Sequence, residues 1–205
     1  YVGNPLVYYI NKFKSNKLNI SKKNIIALLP GSRKQEITKI LPIMLSVSSY
    51  FKKYKFIIAG ISDFGNDFYE SFVNCDNIEI RYDSTYSLLS ESKFALVTSG
   101  TATLEVSLFN IPQIVCYKTD WMTYLFAKLL VKIKFISLVN IILNKYTVPE
   151  LIQTRLNTLN LVKHINQLVN GHYSKEYQNI QQIFEKNQSI EPAKYILDKI
   201  NQSFD

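Results

Sequence analysis

Cysteine is scarce here: two in 205 residues, Cys75 and Cys116, far apart and in no metal-like pattern. Both are read as reduced thiols, Cys116 inside a strand core. The two histidines, His164 and His172, lie in the polar C-terminal third without a Cys or His at ligand spacing, so surface positions are expected of them. No signal-peptide pattern is read in these residues, and no apolar run among them is long enough to span a bilayer. No Gly-x-Gly-x-x-Gly follows the first strand, which argues against a dinucleotide-binding oxidoreductase. There is no Arg/Gly-rich tract, zinc-finger spacing or RNA-binding aromatic signature, so nucleic acid is not the expected partner. Acidic residues are outnumbered, 16 against 24 basic, for a formal net charge of +8. Such a surface attracts phosphorylated ligands or anionic lipid, and charge alone does not choose between them. A starting Met is also missing. The opening Tyr1-Val2-Gly3-Asn4-Pro5-Leu6 reads as an extended piece broken by Gly3 and Pro5, in what is expected to be a fragment of a longer protein.

What is present is apolar enough to fold. Hydrophobic residues make up 47% of the chain, which fits one domain, or one domain with a helical appendage. The 14 Tyr and 12 Phe often stand beside Lys, a mixture that suits an interfacial surface. Lys12 to Lys23 is polar and reads as a surface loop. Short apolar runs predict strands at 24–29, 56–60, 78–82, 94–97 and 114–117. Between them, helices are expected from Arg33 to about Lys53 (kinked or divided by Pro42), near Asp67 to Asn74, and over 86–89. Ser32 and Gln35 have the spacing of a capping box. Alternation of this kind implies an α/β fold, a mainly parallel Rossmann-like sheet with helices on both faces. Ligands of such sheets bind beyond the carboxyl ends of the strands. Pro30 to Arg33, Gly60, Tyr82-Asp83 and Thr98 to Thr103 should all emerge on that edge.

The richest stretch is Leu96 to Glu105. A buried strand ends in Thr98-Ser99-Gly100-Thr101-Ala102-Thr103, and Leu104, Val106, Leu108 and Phe109 then begin a helix. Strand, small-residue turn and helix N-terminus together suit an anion: unpaired amides, a positive dipole end and hydroxyl donors face it. Glu105, about one turn in, could accept bonds from both hydroxyls of a ribose. An ordinary βα turn with a solvated Glu105 is the alternative.

Beyond the fifth strand, Trp121 to Lys134 reads as an amphipathic helix with an aromatic start and a basic end, resting either on anionic lipid or a partner, or on the protein's own core. In the apolar run 135–142, Asn140 either caps local backbone or reaches a ligand. Val148 to Gln153 reads as the start of a short helix with Pro149 near its first turn. Three polar helices are expected over 157–170, 174–186 and 192–203. Residues 1–153 are taken as the sheet domain, and 154–205 as its C-terminal helical extension.

Pro30-Gly31-Ser32-Arg33 with Glu36-Ile37, then Ser99 to Glu105, then Asn140, then Val148-Pro149-Glu150-Leu151-Ile152-Gln153 resembles, in this order, lipid-A-disaccharide synthase, a bacterial GT-B glycosyltransferase. The opening Tyr-Val-Gly-Asn-Pro-Leu resembles the family's linker between its two halves. The resemblance covers about Tyr1 to Gln153 and implies the C-terminal, nucleotide-sugar-binding half. It implies transfer of diacylglucosamine from UDP-diacylglucosamine to lipid X, inverting the anomeric carbon and giving lipid A disaccharide phosphate and UDP. The acceptor site and general base would lie in the N-terminal half, and this half alone should bind UDP without turnover. Arg33 would meet the diphosphate as its catalytic cation, beside Gly31 and Ser32. Ser99, Gly100, Thr101, Ala102 and Thr103 would donate to the same group. Glu105 would hold the ribose, the loop at Tyr82-Asp83 would approach uracil through backbone, and Asn140 and Gln153 would lie near the sugar or diphosphate. No metal and no cofactor are implied. The implied setting is the bacterial cytoplasm, at the inner membrane's cytoplasmic face, with peripheral contact to anionic lipid. A homodimer is a further expectation. Where the family tends to have Gly-Arg, this chain has Asn144-Lys145, and Lys replaces the charge without the bidentate grip. The competing classes are another GT-B UDP-sugar enzyme, such as a lipid-linked N-acetylglucosamine transferase or a UDP-N-acetylglucosamine epimerase, and a non-catalytic nucleotide-sugar-binding module.

Overall fold

The computed structural model describes residues 4–16, 21–120 and 134–185, together with 197, 200 and 201. Six strands form one sheet: β1 (Ile25–Leu29), β2 (Lys55–Gly60), β3 (Ile78–Tyr82), β4 (Phe94–Thr98), β5 (Gln113–Tyr117) and β6 (Glu150–Ile152). Their order is β3-β2-β1-β4-β5-β6, and every neighbouring pair is parallel. The chain winds outward from β1 in one direction, then returns to β4 and winds the other way. The crevice between the carboxyl ends of β1 and β4 is therefore the switch point of the fold.

Strand side chains alternate between two buried layers. Ile26, Leu28, Phe56, Ile58, Leu96 and Cys116 share one core with α2 (Lys34–Leu45) and α7 (Thr158–Val169), which contributes Leu161, Ile165 and Leu168. Ile25, Ala27, Leu29, Ile57, Ala95 and Val97 share the other with α1 (Pro5–Ser15), α4 (Thr85–Glu91) and α5 (Thr101–Leu108). The remaining described helices are α3 (Asn66–Glu70), α6 (Leu138–Leu143) and α8 (Asn179–Glu185).

The five sequence-predicted strands lie where expected, to within a residue at each end. Several other expectations are corrected. Tyr1 to Gly3 of the expected extended opening lie outside the described residues, and Pro5 and Leu6 are not extended: Asn4 caps α1 by accepting the Leu6 amide at 3.0 Å, Pro5 sits in its first turn, and Val7 and Ile10 are fully buried. Asn-Pro is a helix start as much as a break, because proline at the first position forfeits no helical bond. The same helix takes in Lys12 to Ser15, part of the expected loop. Helix α2 tolerates Pro42 but ends at Leu45, since the following Ser-Val-Ser-Ser supports only a 3₁₀ turn at Ser48–Tyr50. Its cap is Arg33, with no side-chain cap bond, so Ser32 and Gln35 do not form the expected box. Val148 to Gln153 is not the start of an α-helix. Three residues of it, Glu150–Ile152, pair with β5 as an edge strand, and a 3₁₀ turn follows at Gln153–Arg155. The expected helix at 174–186 is a 3₁₀ turn, Glu176–Gln178, running into α8. The amphipathic stretch at 121–133 and nearly all of 192–203 lie outside the described residues.

Ile10→Ala should lower stability by about 2 kcal/mol, the low end for such a truncation because one short helix can settle around the gap. Urea unfolding measures it. No change would mean that α1 is not docked on α5.

Candidate functional site

The switch-point crevice is a cleft of about 410 Å³. Four loops wall it: Gly31, Ser32, Arg33 and Glu36 after β1, Gly60 and Ile61 after β2, Asp83 and Thr85 after β3, and Thr98 to Ala102 with Glu105 after β4. Two turns with positive-φ glycines shape it. Gly31 has φ +119°, and an added Cβ would stand 2.8 Å from Glu36 Oε2. Glu36 therefore folds beneath the turn, and its other oxygen accepts from Arg33 Nη1 at 3.1 Å. Arg33 keeps 79% of its side chain in solvent, so this ion pair orients it cheaply without burying it. At Gly100, with φ +143°, an added Cβ would meet nothing within 4 Å. That open space lets a ligand approach the backbone where α5 begins. At the start of α5 the Thr101 and Ala102 amides have no intrahelical acceptor, the Thr103 amide donates to the Gly100 carbonyl at 3.2 Å, and Gly100 caps the helix without a side chain. A guanidinium on one wall and bare amides on the other suit a multiply charged anion.

Glu105 lies on the same cleft, one turn into α5. Its Oε1 accepts from Tyr86 Oη at 3.3 Å. Burial raises its pKa, and the Tyr86 bond partly opposes this. Burial and then the Glu105 charge push Tyr86 up to about 12, so it remains a donor across the physiological range. Asp83, itself at φ +48°, accepts the Ser62 amide at 3.4 Å and lines the cleft beside Gly60.

Of the residues singled out in the sequence, the structure brings together Gly31, Ser32, Arg33, Ser99, Gly100, Thr101, Ala102 and Glu105. Four do not line the cleft. Thr103 is fully buried, and its hydroxyl donates to the Gly100 carbonyl at 2.8 Å. Tyr82 turns its ring beneath Gly60 and edge-on to Tyr69, leaving its neighbour Asp83 at the cleft. Asn140 is fully buried: Oδ1 accepts from the Thr147 and Val148 amides at 2.8 and 2.9 Å, and Nδ2 donates to Val148 O and Glu150 Oε1 at 2.9 and 2.8 Å. Every hydrogen-bonding position of the amide is filled, so it caps local backbone. Gln153, at φ +51°, clamps Thr119 through both its amide atoms and lines a second cavity with Lys118 and Leu156.

The 135–150 segment nevertheless supports the cleft. Glu150, 6% exposed, accepts from the Ile136 and Ser137 amides, Ser137 Oγ and Asn140 Nδ2, and the Ile136 carbonyl accepts from Ser99 Oγ at 2.7 Å. Asn144 takes the left-handed conformation, φ +47°, that ends α6, and Lys145 reaches away to Glu176 at 2.7 Å. Glu36, Thr85 and Tyr86 were not singled out as site residues. Glu36 had a signal, its position one turn after the Gly-Ser-Arg. Tyr86 had none, because its contact with Glu105 crosses from one helix to another. Among the described residues, no group of three or more His, Cys, Asp or Glu side chains could hold a metal ion, and no helix is long and apolar enough to cross a membrane.

Residues 1–199 match the family described as LpxB, lipid-A-disaccharide synthetase. Similar curated proteins include lipid-A-disaccharide synthase 1 of Legionella pneumophila strain Lens, 31% identical over 83% of this chain and 48% of that protein. The lipid-A-disaccharide synthase of Campylobacter jejuni strain RM1221 is 35% identical over 81% of this chain and 48% of its own length. The chain thus spans about half the length of these relatives. Among solved structures, Anabaena HepE in complex with UDP and glucose superposes with a TM-score of 0.53 at 14% identity, covering 95% of this chain and 51% of that one. UDP-GlcNAc 2-epimerase from Neisseria meningitidis, bound to UDP-GlcNAc, gives 0.52 at 15% identity, covering 90% and 53%. These likenesses show the fold, the Rossmann-like half of a GT-B architecture.

Proposed function

The chain belongs to the lipid-A-disaccharide synthetase family, and from that premise we propose that it is the donor-binding half of a lipid A glycosyltransferase. In this reading the donor is UDP-diacylglucosamine, the acceptor is lipid X, and the products are lipid A disaccharide phosphate and UDP. The observation that carries it is the convergence of Arg33, the open amide turn at Gly100 and Glu105 on one cleft at the switch point. The diphosphate takes the α5 amides and the Thr101 hydroxyl on one side and the Arg33 guanidinium on the other. As the bond from the anomeric carbon to the diphosphate oxygen breaks, negative charge grows on the leaving UDP, and Arg33 stabilises it. Glu105 accepts from the ribose hydroxyls, and uracil lies toward Gly60 and Asp83. The acceptor hydroxyl attacks the opposite face of the sugar, inverting it, and loses its proton to a base in the N-terminal half. No metal or cofactor takes part. In the same reading the enzyme works as a peripheral protein at the cytoplasmic face of the bacterial inner membrane and pairs with a second copy; the acyl chains of its substrates and the net charge of +8 support the membrane contact.

Calorimetry of this chain with UDP tests the site. Arg33→Ala and Glu105→Ala should each weaken binding by about 1–3 kcal/mol. Equal affinity in all three proteins would remove both roles. Assay of the full-length protein with acylated and unacylated UDP-glucosamine tests the reaction: transfer to lipid X from the acylated donor supports it, and equal use of both donors or epimerisation without transfer overturns it.

A further inference from the structure

Behind Glu105, away from the cleft, stands an aromatic trio from three separate elements. Tyr86 of α4 meets Phe13 of α1 edge-on, with ring centroids 5.6 Å apart, and lies tilted against Phe109 at 5.5 Å. Phe13 and Phe109 close the triangle at 6.0 Å. A tyrosine ring held from two sides has little freedom to swing, so its hydroxyl is delivered to one place. That place is Glu105 Oε1. Tyr86 does not line the cleft, whereas Thr85 before it and Glu105 do. Its hydroxyl is thus a second-row support for a carboxylate whose outer side faces the cavity.

We propose that Tyr86 is a positioning residue for nucleotide binding: wedged by Phe13 and Phe109, it locks the Glu105 carboxylate in the orientation that accepts the ribose hydroxyls, and so sets preference for a ribonucleotide over its 2′-deoxy counterpart. The proposal rests on the assignment of Glu105 to the ribose. One hydrogen bond from Tyr86 occupies a single lone pair of Oε1. The other oxygen and the remaining lone pairs stay available to a vicinal diol. Without the hydroxyl, the half-buried carboxylate can rotate about its last side-chain torsion, and a diol that needs both acceptors aligned suffers most.

The test is calorimetry of this chain with UDP and 2′-deoxy-UDP, using wild type, Tyr86→Phe, Glu105→Gln and the double variant. Tyr86→Phe keeps the ring and its packing, and thermal unfolding verifies that the fold is retained. It should weaken UDP about fivefold to tenfold and 2′-deoxy-UDP by less than about twofold, as expected for one lost hydrogen bond that acts only through the diol. In the Glu105→Gln background, Tyr86→Phe should add almost nothing. An equal loss for both nucleotides, or a full additional loss in that background, would make Tyr86 a packing residue and overturn the proposal. If Glu105→Gln leaves the preference between the nucleotides unchanged, the ribose assignment fails first. If Glu105→Gln abolishes the preference and Tyr86→Phe does not move it, only the present inference fails.

Discussion

Asn140→Ala is expected to cost about 4 kcal/mol of stability, lowering the melting temperature by roughly 10 °C in a chain of this size. The truncation strands two backbone amides, Thr147 and Val148, and the Val148 carbonyl, all in the interior. It also removes one of the donors to Glu150, a carboxylate buried without a cationic partner among its contacts. Each such loss costs about 1–3 kcal/mol, and they are not additive because the four bonds share one side chain. Asn140→Asp keeps both acceptances but turns a carboxylate oxygen toward Glu150, so it should also destabilise at neutral pH. Differential scanning calorimetry measures both variants. A fully stable Asn140→Ala protein with lost UDP affinity would reverse the assignment and make Asn140 a ligand contact.

Arg33→Ala should behave in the opposite way: unchanged stability, and a drop in turnover of the full-length enzyme by about a hundredfold to a thousandfold. Its side chain is mostly in solvent and makes one short-range ion pair, so its removal leaves nothing buried unpaired. On the proposed mechanism the effect on the reaction should exceed that on UDP binding, because charge on the diphosphate grows as its bond to the anomeric carbon breaks. Arg33→Lys should recover part of the rate, limited by the loss of the planar fork. The check is the initial rate at saturating donor beside a thermal melt. A variant with normal turnover would take Arg33 out of the reaction. Together the two substitutions separate the family's motif residues into those that touch the nucleotide and those that hold the frame around it.

That separation was not legible in the sequence. Arg33, Ser99 to Ala102 and Glu105 were reachable from the sequence through the strand–turn–helix pattern and the family resemblance together, because the pattern alone also fits an ordinary βα turn. Asn140, Gln153 and Thr103 carry the same polar chemistry, yet they bond inward: Thr103 to the Gly100 carbonyl, Asn140 to the Thr147–Val148 backbone and Glu150, and Gln153 to the Thr119 backbone. A residue's type does not say whether its hydrogen bonds point inward or outward. Helix α1 was hidden for a related reason: Asn4-Pro5 can open a helix or end a strand, and burial of Val7 and Ile10 against the second core decided it.

By itself the sequence determined five strands, their alternation with helices, and the edge on which the turns that line the cleft emerge. Those follow from side-chain periodicity and turn chemistry within about ten residues, which any window of the chain carries. Only the tertiary structure decided that Glu150–Ile152 becomes a sixth strand, that Asn140 is locked inside, and that Tyr86 stands behind Glu105. A three-residue strand exists only where β5 supplies the other half of its ladder. A buried amide finds its bonds only once the surrounding loop has closed, and the contact between Tyr86 and Glu105 joins helices 19 residues apart. Such pairings depend on packing across the sheet.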